Sequence, residues 1–411
     1  MNAPTSAVNV VCVASHFKGE EFLREAKRLG ARVSLVTRDR TRHEPWPREA
    51  LDETVFLPDD AGAELLIHVI AQLARPVRLD VLVALEEFDV IATALAREHL
   101  RLDGLQSTEA RRFRDKLTMR ATAHAAGVRV PEFVHLLNYQ EIGEYMERVP
   151  PPWVLKPRSD VSATGVRVLH DSEQVWRAIE ELDARPVLQD RSTYYLLERY
   201  VAGEVFHVDS LVESGAVIFA GASRYGRPPL DVAHGGGVFI SHTVEYDSPD
   251  YEALTRMNSE VLAALGLEHG AAHAEFIKGA ADGRFYFLEV AARVGGAFIA
   301  ETLEAATGVN LWREWARTEI ARAGGTAHRR PEPERFYSGI ALSLARQEQP
   351  DTSAYDDPEI VRRLDKPNHV GLIVRSQSLE RVRELLDTYA ERFARDFSAF
   401  VPPPERREVN L

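Results

Sequence analysis

Ala271-Ala-His-Ala-Glu-Phe-Ile277 and Arg284-Phe-Tyr-Phe-Leu-Glu-Val-Ala-Ala-Arg-Val-Gly-Gly296, separated by the turn Ala281-Asp282-Gly283, decide how this chain is read. Two apolar, aromatic-rich runs around an Asp-Gly turn predict a β-hairpin. Glu275 and Glu289 are centred on Asp282, so hairpin pairing sets them roughly opposite each other. Alternate residues of a strand share a face, which groups His273 with Glu275, and Phe285 and Phe287 with Glu289. Like charges directly opposite on adjacent strands destabilise a sheet unless something neutralises them. Mg²⁺ does so, since it binds through one or two carboxylates and completes its shell with phosphate oxygens. Staggered strands with solvated glutamates are the alternative that this hairpin alone leaves open.

Working outward, 411 residues suffice for two or three domains. A hydrophobic fraction of 45% and a charged fraction of 27% are those of a soluble globular protein. No run approaches the roughly 18 uninterrupted apolar residues of a membrane span, and the first residues, Met1-Asn-Ala-Pro-Thr-Ser-Ala7, show no secretory signal. Cys12 is the single cysteine, inside an apolar strand, so an intrachain disulfide is excluded and a cytoplasmic location is expected. The net charge of −13 argues against a nucleic-acid-binding surface. It does not exclude an anionic nucleotide held by local lysines and arginines.

Val8–Ala14 is a continuous apolar run suited to a strand buried on both faces. Glu20–Leu29 has helical spacing and stops at Gly30, and strand–helix alternation continues through Leu100. Such alternation predicts a parallel sheet covered by helices. The loop Ser15-His-Phe-Lys-Gly19 lacks the spaced glycines of a dinucleotide fingerprint. A mostly antiparallel region follows, then the boundary Pro331–Pro333. Strands at Tyr337–Leu344 and Val370–Arg375 and a helix at Leu379–Phe397 predict a small α+β cap.

Two further segments carry chemistry. Lys156 ends an apolar strand and leads into Pro157-Arg-Ser-Asp-Val-Ser-Ala-Thr-Gly165, where Ser162, Gly165 and the backbone N–H groups suit a polyphosphate. The order strand–Lys–loop–strand is not that of a P-loop. Leu197-Glu-Arg-Tyr-Val-Ala-Gly-Glu204 links two strands, and its backbone could pair with a purine edge while Tyr200 and Val201 cover it.

The order Lys116, Lys156 with its loop, Glu198 to Glu204, Glu275, Glu289 and Arg293 resembles the ATP-grasp superfamily from roughly Lys116 to Val309. The resemblance implies ATP with Mg²⁺ (or Mn²⁺) as cofactors. It implies Lys116 and Lys156 on the phosphates, Glu198, Tyr200 and Val201 at the adenine hinge and Glu204 on the ribose. Glu275 and Glu289 would hold the metal, and Arg293 would stabilise the transferring phosphoryl group or the tetrahedral intermediate. Many members place an asparagine ligand where this chain has Ala291, which puts the metal count in doubt. Glu-Val-Ala-Ala-Arg-Val-Gly-Gly is similar to amino-acid ligases of the biotin-carboxylase-like branch, and no biotin-attachment Met-Lys-Met is present.

The expected fold is α/β plus α+β: an open parallel amino-terminal domain (1–107), two ATP-grasp modules (108–196 and 197–330) and a C-terminal subdomain (331–411). The expected reaction is ATP-dependent joining of a small carboxylate to an amine, with amino acids as the substrates. Glu87, Arg224, His273, Gly295 and Gly296 are the candidate substrate contacts. Loops Ser159–Gly165 and Gly235–Gly237 are candidate lids. A carboxylate that is not an amino acid, a carbamoyl-type substrate and a non-catalytic nucleotide-binding relative are the rival readings. The apolar C-terminal strands permit a homodimer.

Overall fold

The computed structural model describes residues 7–160, 164–228, 236–397 and 399. Strands β1 (Asn9–Ala14), β2 (Arg32–Arg38), β3 (Glu53–Leu57) and β4 (Val81–Ala84) form a parallel sheet in the order β3-β2-β1-β4. Every residue of β1 is buried, which is why its sequence does not alternate. Glu86 and Glu87 follow β4 after Leu85, at the carboxyl edge where open parallel sheets present ligand-binding groups.

A second, antiparallel sheet contains β5 (Phe133–His135), β6 (Trp153–Pro157), β7 (Arg167–Leu169) and β8 (Tyr195–Arg199), ordered β5-β8-β6-β7. Trp153, Leu155 and Leu197 pack there against Tyr145 and Val175 of two helices. Because β8 lies wholly in this sheet, the junction between the modules falls after Arg199, later than the boundary expected at 196.

The third sheet has eight strands: β9 (Gly203–Glu213), β10 (Ala216–Tyr225), β11 (Phe239–Thr243), β12 (His269–Gly279), β13 (Phe285–Ala291), β14 (Tyr337–Leu344), β15 (Ile360–Arg363) and β16 (His369–Ser376). Their order is β13-β12-β9-β10-β11-β14-β16-β15. The C-terminal strands therefore do not form a sheet of their own. β14 pairs with β11 over Phe239–His242, and the segment expected as a separate cap extends the second module. The helix Leu379–Asp396, capped by Ser378, covers this end with Val382, Leu386, Tyr389 and Phe393.

The amino-terminal domain docks on the large sheet through one continuous core. Phe22 meets Trp315 edge-on at 5.3 Å, and Leu211, Phe219 and Leu303 belong to the same cluster. Arg313 and Arg317 of the helix Leu311–Ala323 reach Glu21 and Glu25 at 2.9 and 2.5 Å. No helix among the described residues is long and apolar enough to cross a membrane.

Candidate active site

Glu275 of β12 pairs with Glu289 of β13, and the pairing depends on an irregularity. Nearer the turn, Lys278, Ile277 and Phe276 pair with Phe285, Tyr286 and Phe287; the register then shifts, leaving Leu288 as the extra residue of a β-bulge. A regular ladder would set Leu288 against Glu275. The bulge also corrects the facial grouping expected from simple alternation. Phe287 shares a face with Phe276 in the core, opposite to Glu289, because the extra residue inverts the alternation between them.

Each acid has cationic or hydrogen-bonding company. Glu289 Oε2 lies 2.9 Å from Lys116 Nζ. Glu275 Oε1 accepts from the Tyr225 hydroxyl at 2.8 Å and lies 3.5 Å from His273 Nε2. Burial would raise the Glu275 carboxyl, but the His273 and Tyr225 hydrogen bonds hold it below its ordinary value. Two oxygen-bearing side chains on paired positions suit a hard divalent cation. Ala291, which pairs with His273, offers no third ligand there.

Behind the acids runs a network that reading the sequence missed. Asp209 receives His207 Nδ1 on one oxygen at 2.7 Å and His273 Nδ1 on the other at 2.9 Å. His207 Nε2 continues to Ser241 Oγ at 2.7 Å. Burial acts against both charges of the central pair. The two imidazoles nonetheless hold the Asp209 carboxyl well below its usual range, and Asp209 lifts His273 to about 9. His207, Asp209 and His273 stand close enough to suggest a metal cluster. At hydrogen-bond separation, however, the carboxylate and the two rings satisfy one another. The sequence signal was a His-x-Asp on one strand and a His-x-Glu on another. β9–β12 pairing sets His273 beside Asp209 and Glu275 beside His207. Gly295 lies against this pair: a Cβ there would stand 2.6 Å from Asp209 Oδ1. Among the described residues, nothing stands within 4 Å of where a Cβ on Gly296 would lie.

On the opposite wall, Asp115 caps the helix Lys116–Ala125 and so fixes Lys116 in its first turn. Lys116 Nζ donates to the Asp160 carbonyl at 2.6 Å, and Arg114 Nη2 to that of Ser159 at 2.8 Å. The base of the Lys156 loop is thereby stitched to the helix start. Lys156 is buried and paired with the Glu198 carboxylate, whose second oxygen accepts from Arg120 Nε at 3.0 Å. Burial, with the Arg120 charge adding to it, draws Lys156 down to about 8 despite the pull of Glu198.

This arrangement differs from the hinge role expected for Glu198. Its strand is central, paired with β5 and β6 on its two sides, and its side chain neutralises two cations. Tyr200 N–H is also taken, by the Pro152 carbonyl at 3.1 Å. Val201 remains beside an apolar wall that includes Tyr225, Ile277, Tyr286 and Leu288. Glu204 and Arg224, expected on ribose and on substrate, instead pair with each other at 2.6 Å. Gly165 has φ +71° at the end of the phosphate loop. Ser162 and Gly235 lie outside the described residues, as do the middle of the loop Ser159–Gly165 and the start of the glycine run.

Arg293 follows β13 and donates through Nη2 to Glu87 Oε2 at 2.7 Å; Arg114 takes the other oxygen. Burial opposes the Glu87 charge, yet Arg293, Arg114 and Lys116 hold its carboxyl at about 2. Neighbouring Glu86 pairs with Lys18 at 2.5 Å. A cavity of about 610 Å³ elsewhere, lined by Leu29, Glu314, His328 and Pro331, contains none of these groups.

Residues 149–301 match the ATP-grasp domain model, and residues 23–104 match that of the ATP-grasp N-terminal domain. The chain is 20% identical to the L-arginine-specific L-amino acid ligase of Bacillus subtilis over 303 residues, 74% of this chain and 72% of that one. A solved L-amino acid ligase from Bacillus licheniformis has a TM-score of 0.72 at 19% identity, covering 96% of this chain and 99% of its own. N5-carboxyaminoimidazole synthetase from Staphylococcus aureus, solved with ADP, has a TM-score of 0.70 at 14% identity, with 95% and 99% covered. At these identities the structural likenesses establish a common fold.

Proposed function

This chain is an ATP-grasp protein, a frame that serves ATP-dependent carbon–nitrogen ligases, and from that premise we propose that it couples a carboxylate to the amino group of an amino acid. In the first step the carboxylate oxygen attacks the γ-phosphorus of ATP, the bond to the β-phosphate oxygen breaks, and an acyl phosphate and ADP result. In the second the amine attacks the acyl carbon, phosphate leaves, and the amine loses a proton to give the amide.

The observation that carries this reading is the meeting of the two modules at Lys116 and Glu289, 2.9 Å apart. It brings a cationic wall for phosphates against paired acids for a divalent cation. Glu275 and Glu289 would hold Mg²⁺, which supplies positive charge to the triphosphate. Lys116 and Lys156 would offset charge on the phosphate oxygens, and Arg293 would offer its remaining guanidinium N–H groups and its charge to the oxygens of the reacting group. Ser159 and Asp160, tied through their carbonyls to Arg114 and Lys116, start the Ser159–Gly165 loop beside that space, and closure of the loop would keep water from the acyl phosphate. Glu204 would turn to ribose on releasing Arg224.

The choice of an amino acid as substrate rests on the Bacillus subtilis relative. The fold alone does not choose, since a synthetase of different substrate is nearly as similar. The test is phosphate release from ATP and Mg²⁺, screened over pairs of amino acids and other carboxylates. Phosphate that requires two co-substrates, one an amino acid, is the expected result. Release that needs only one, or only substrates other than amino acids, refutes the proposal.

A further inference from the structure

We infer that Glu87 is a positioning residue for Arg293, through which the amino-terminal domain aims the guanidinium of the other domain at the reacting atoms. The inference rests on the ligase reading and assigns Glu87 a different task from the ammonium contact suggested by its place at a strand end. Both carboxylate oxygens are engaged, Oε2 by Arg293 Nη2 at 2.7 Å and Oε1 by Arg114. The residue is buried at 8% exposure, so a substrate ammonium would have to displace a guanidinium to reach it.

Its support is rigid. The Glu87 N–H donates to Glu86 Oε1 at 2.9 Å, and Asp89 Oδ2 accepts from the Ser15 N–H at 2.6 Å. The single turn Glu87–Asp89 is thus fixed to the ends of β1 and β4. On the other side, Arg293 Nη1 donates to the Val294 carbonyl at 3.1 Å, while its buried Nε has no hydrogen-bond partner among the described residues. The guanidinium is therefore held at its two ends, and since each Nη carries a second N–H, those remaining donors, not the buried Nε, are the ones an oxygen of the substrate would meet. The Glu87 charge also separates Arg293 from Arg114, two cations that would otherwise repel in a buried site. A catalytic side chain needs this kind of support, because an error of about 1 Å in its aim can cost on the order of 10²-fold in rate.

The test is a double-mutant cycle on the full-length protein with ATP, Mg²⁺ and the carboxylate–amine pair found by phosphate release. The variants are Glu87→Gln, Glu87→Asp, Arg293→Ala and the combined Glu87→Gln/Arg293→Ala. A positioning role predicts that Glu87→Gln lowers kcat by on the order of 10²-fold while KM for the amine changes by less than about threefold. Glu87→Asp, which keeps the charge, should recover part of that loss. The combined variant should be no more than about threefold slower than Arg293→Ala, because Glu87 acts through the arginine. A KM for the amine raised tenfold or more with kcat retained would show an ammonium site and overturn the inference. So would losses that multiply in the combined variant. Should Glu87→Gln fail to fold, the cycle is run with Glu87→Asp and judged by the same two outcomes. Wild-type protein that forms no ADP with any pair refutes the ligase reading itself, and with it the role given to Arg293.

Discussion

Lys116 spans the gap between the small and large sheets, its Nζ 2.9 Å from Glu289 Oε2. A nucleotide with its cation would separate the pair, the lysine turning to phosphate and the glutamate to metal. Glu289→Gln should therefore reduce ADP formation by on the order of 10²-fold or more. It should also weaken the binding of Mn²⁺-ADP measured by isothermal titration. Unchanged Mn²⁺-ADP affinity would remove Glu289 from the metal site.

Lys156 gives the site a pH dependence. Its ammonium titrates near 8 in the free protein, so the charge offered to phosphate is present below that pH and lost above it. KM for ATP is expected to rise as the pH passes from about 7 to 9. In Lys156→Arg the guanidinium stays protonated throughout, and that rise should vanish even if affinity is lower overall. A wild-type KM that is flat over this range contradicts the assignment.

Asp209 sits between two buried imidazoles. Asp209→Asn removes the charge that keeps His273 protonated and leaves polar nitrogens without an ionic partner, at a cost of about 2–4 kcal/mol. Urea denaturation reads this as a lower midpoint. A cost below about 0.5 kcal/mol would mean that the network holds little of the sheet together.

Gly295 tests how closely the Arg293 turn approaches that network. In Gly295→Ala the new methyl would stand 2.6 Å from Asp209 Oδ1 and 3.1 Å from His273 Nδ1, so backbone or carboxylate must shift. The expected penalty is about 1–3 kcal/mol, with a fall in kcat because Arg293 lies two residues away. Thermal unfolding and phosphate release give the two values. Gly296→Ala, whose new methyl meets none of the described residues, is the control and should change stability little.

The sequence disclosed what short-range patterns encode. The apolar run of β1, the hairpin around Asp282 and the lysine at the end of β6 all follow from residues within one or two elements. The features it concealed depend on distant partners. Asp209 and His273 are 64 residues apart, and only the β9–β12 register joins them. Glu198 reads as a hinge residue until Lys156 and Arg120 arrive from other elements to occupy its carboxylate. The C-terminal strands read as a separate unit because the chain pauses at Pro331–Pro333, yet Phe239–His242 offers them an open edge. β5, at three residues, is too short to carry a periodic signal.

The extra residue at Leu288 acts as a phase shifter between the tip of the hairpin and its acids. Changes of two residues in the turn would leave the parity of the strands intact; pairing Leu288 regularly would move Glu289 opposite Ala274 and turn it to the other face, whereas deleting Leu288 would leave Glu289 opposite Glu275 with the tip in step. The bulge thus absorbs one extra residue without costing the acids their pairing, and turn changes that keep the tip in register leave that pairing untouched.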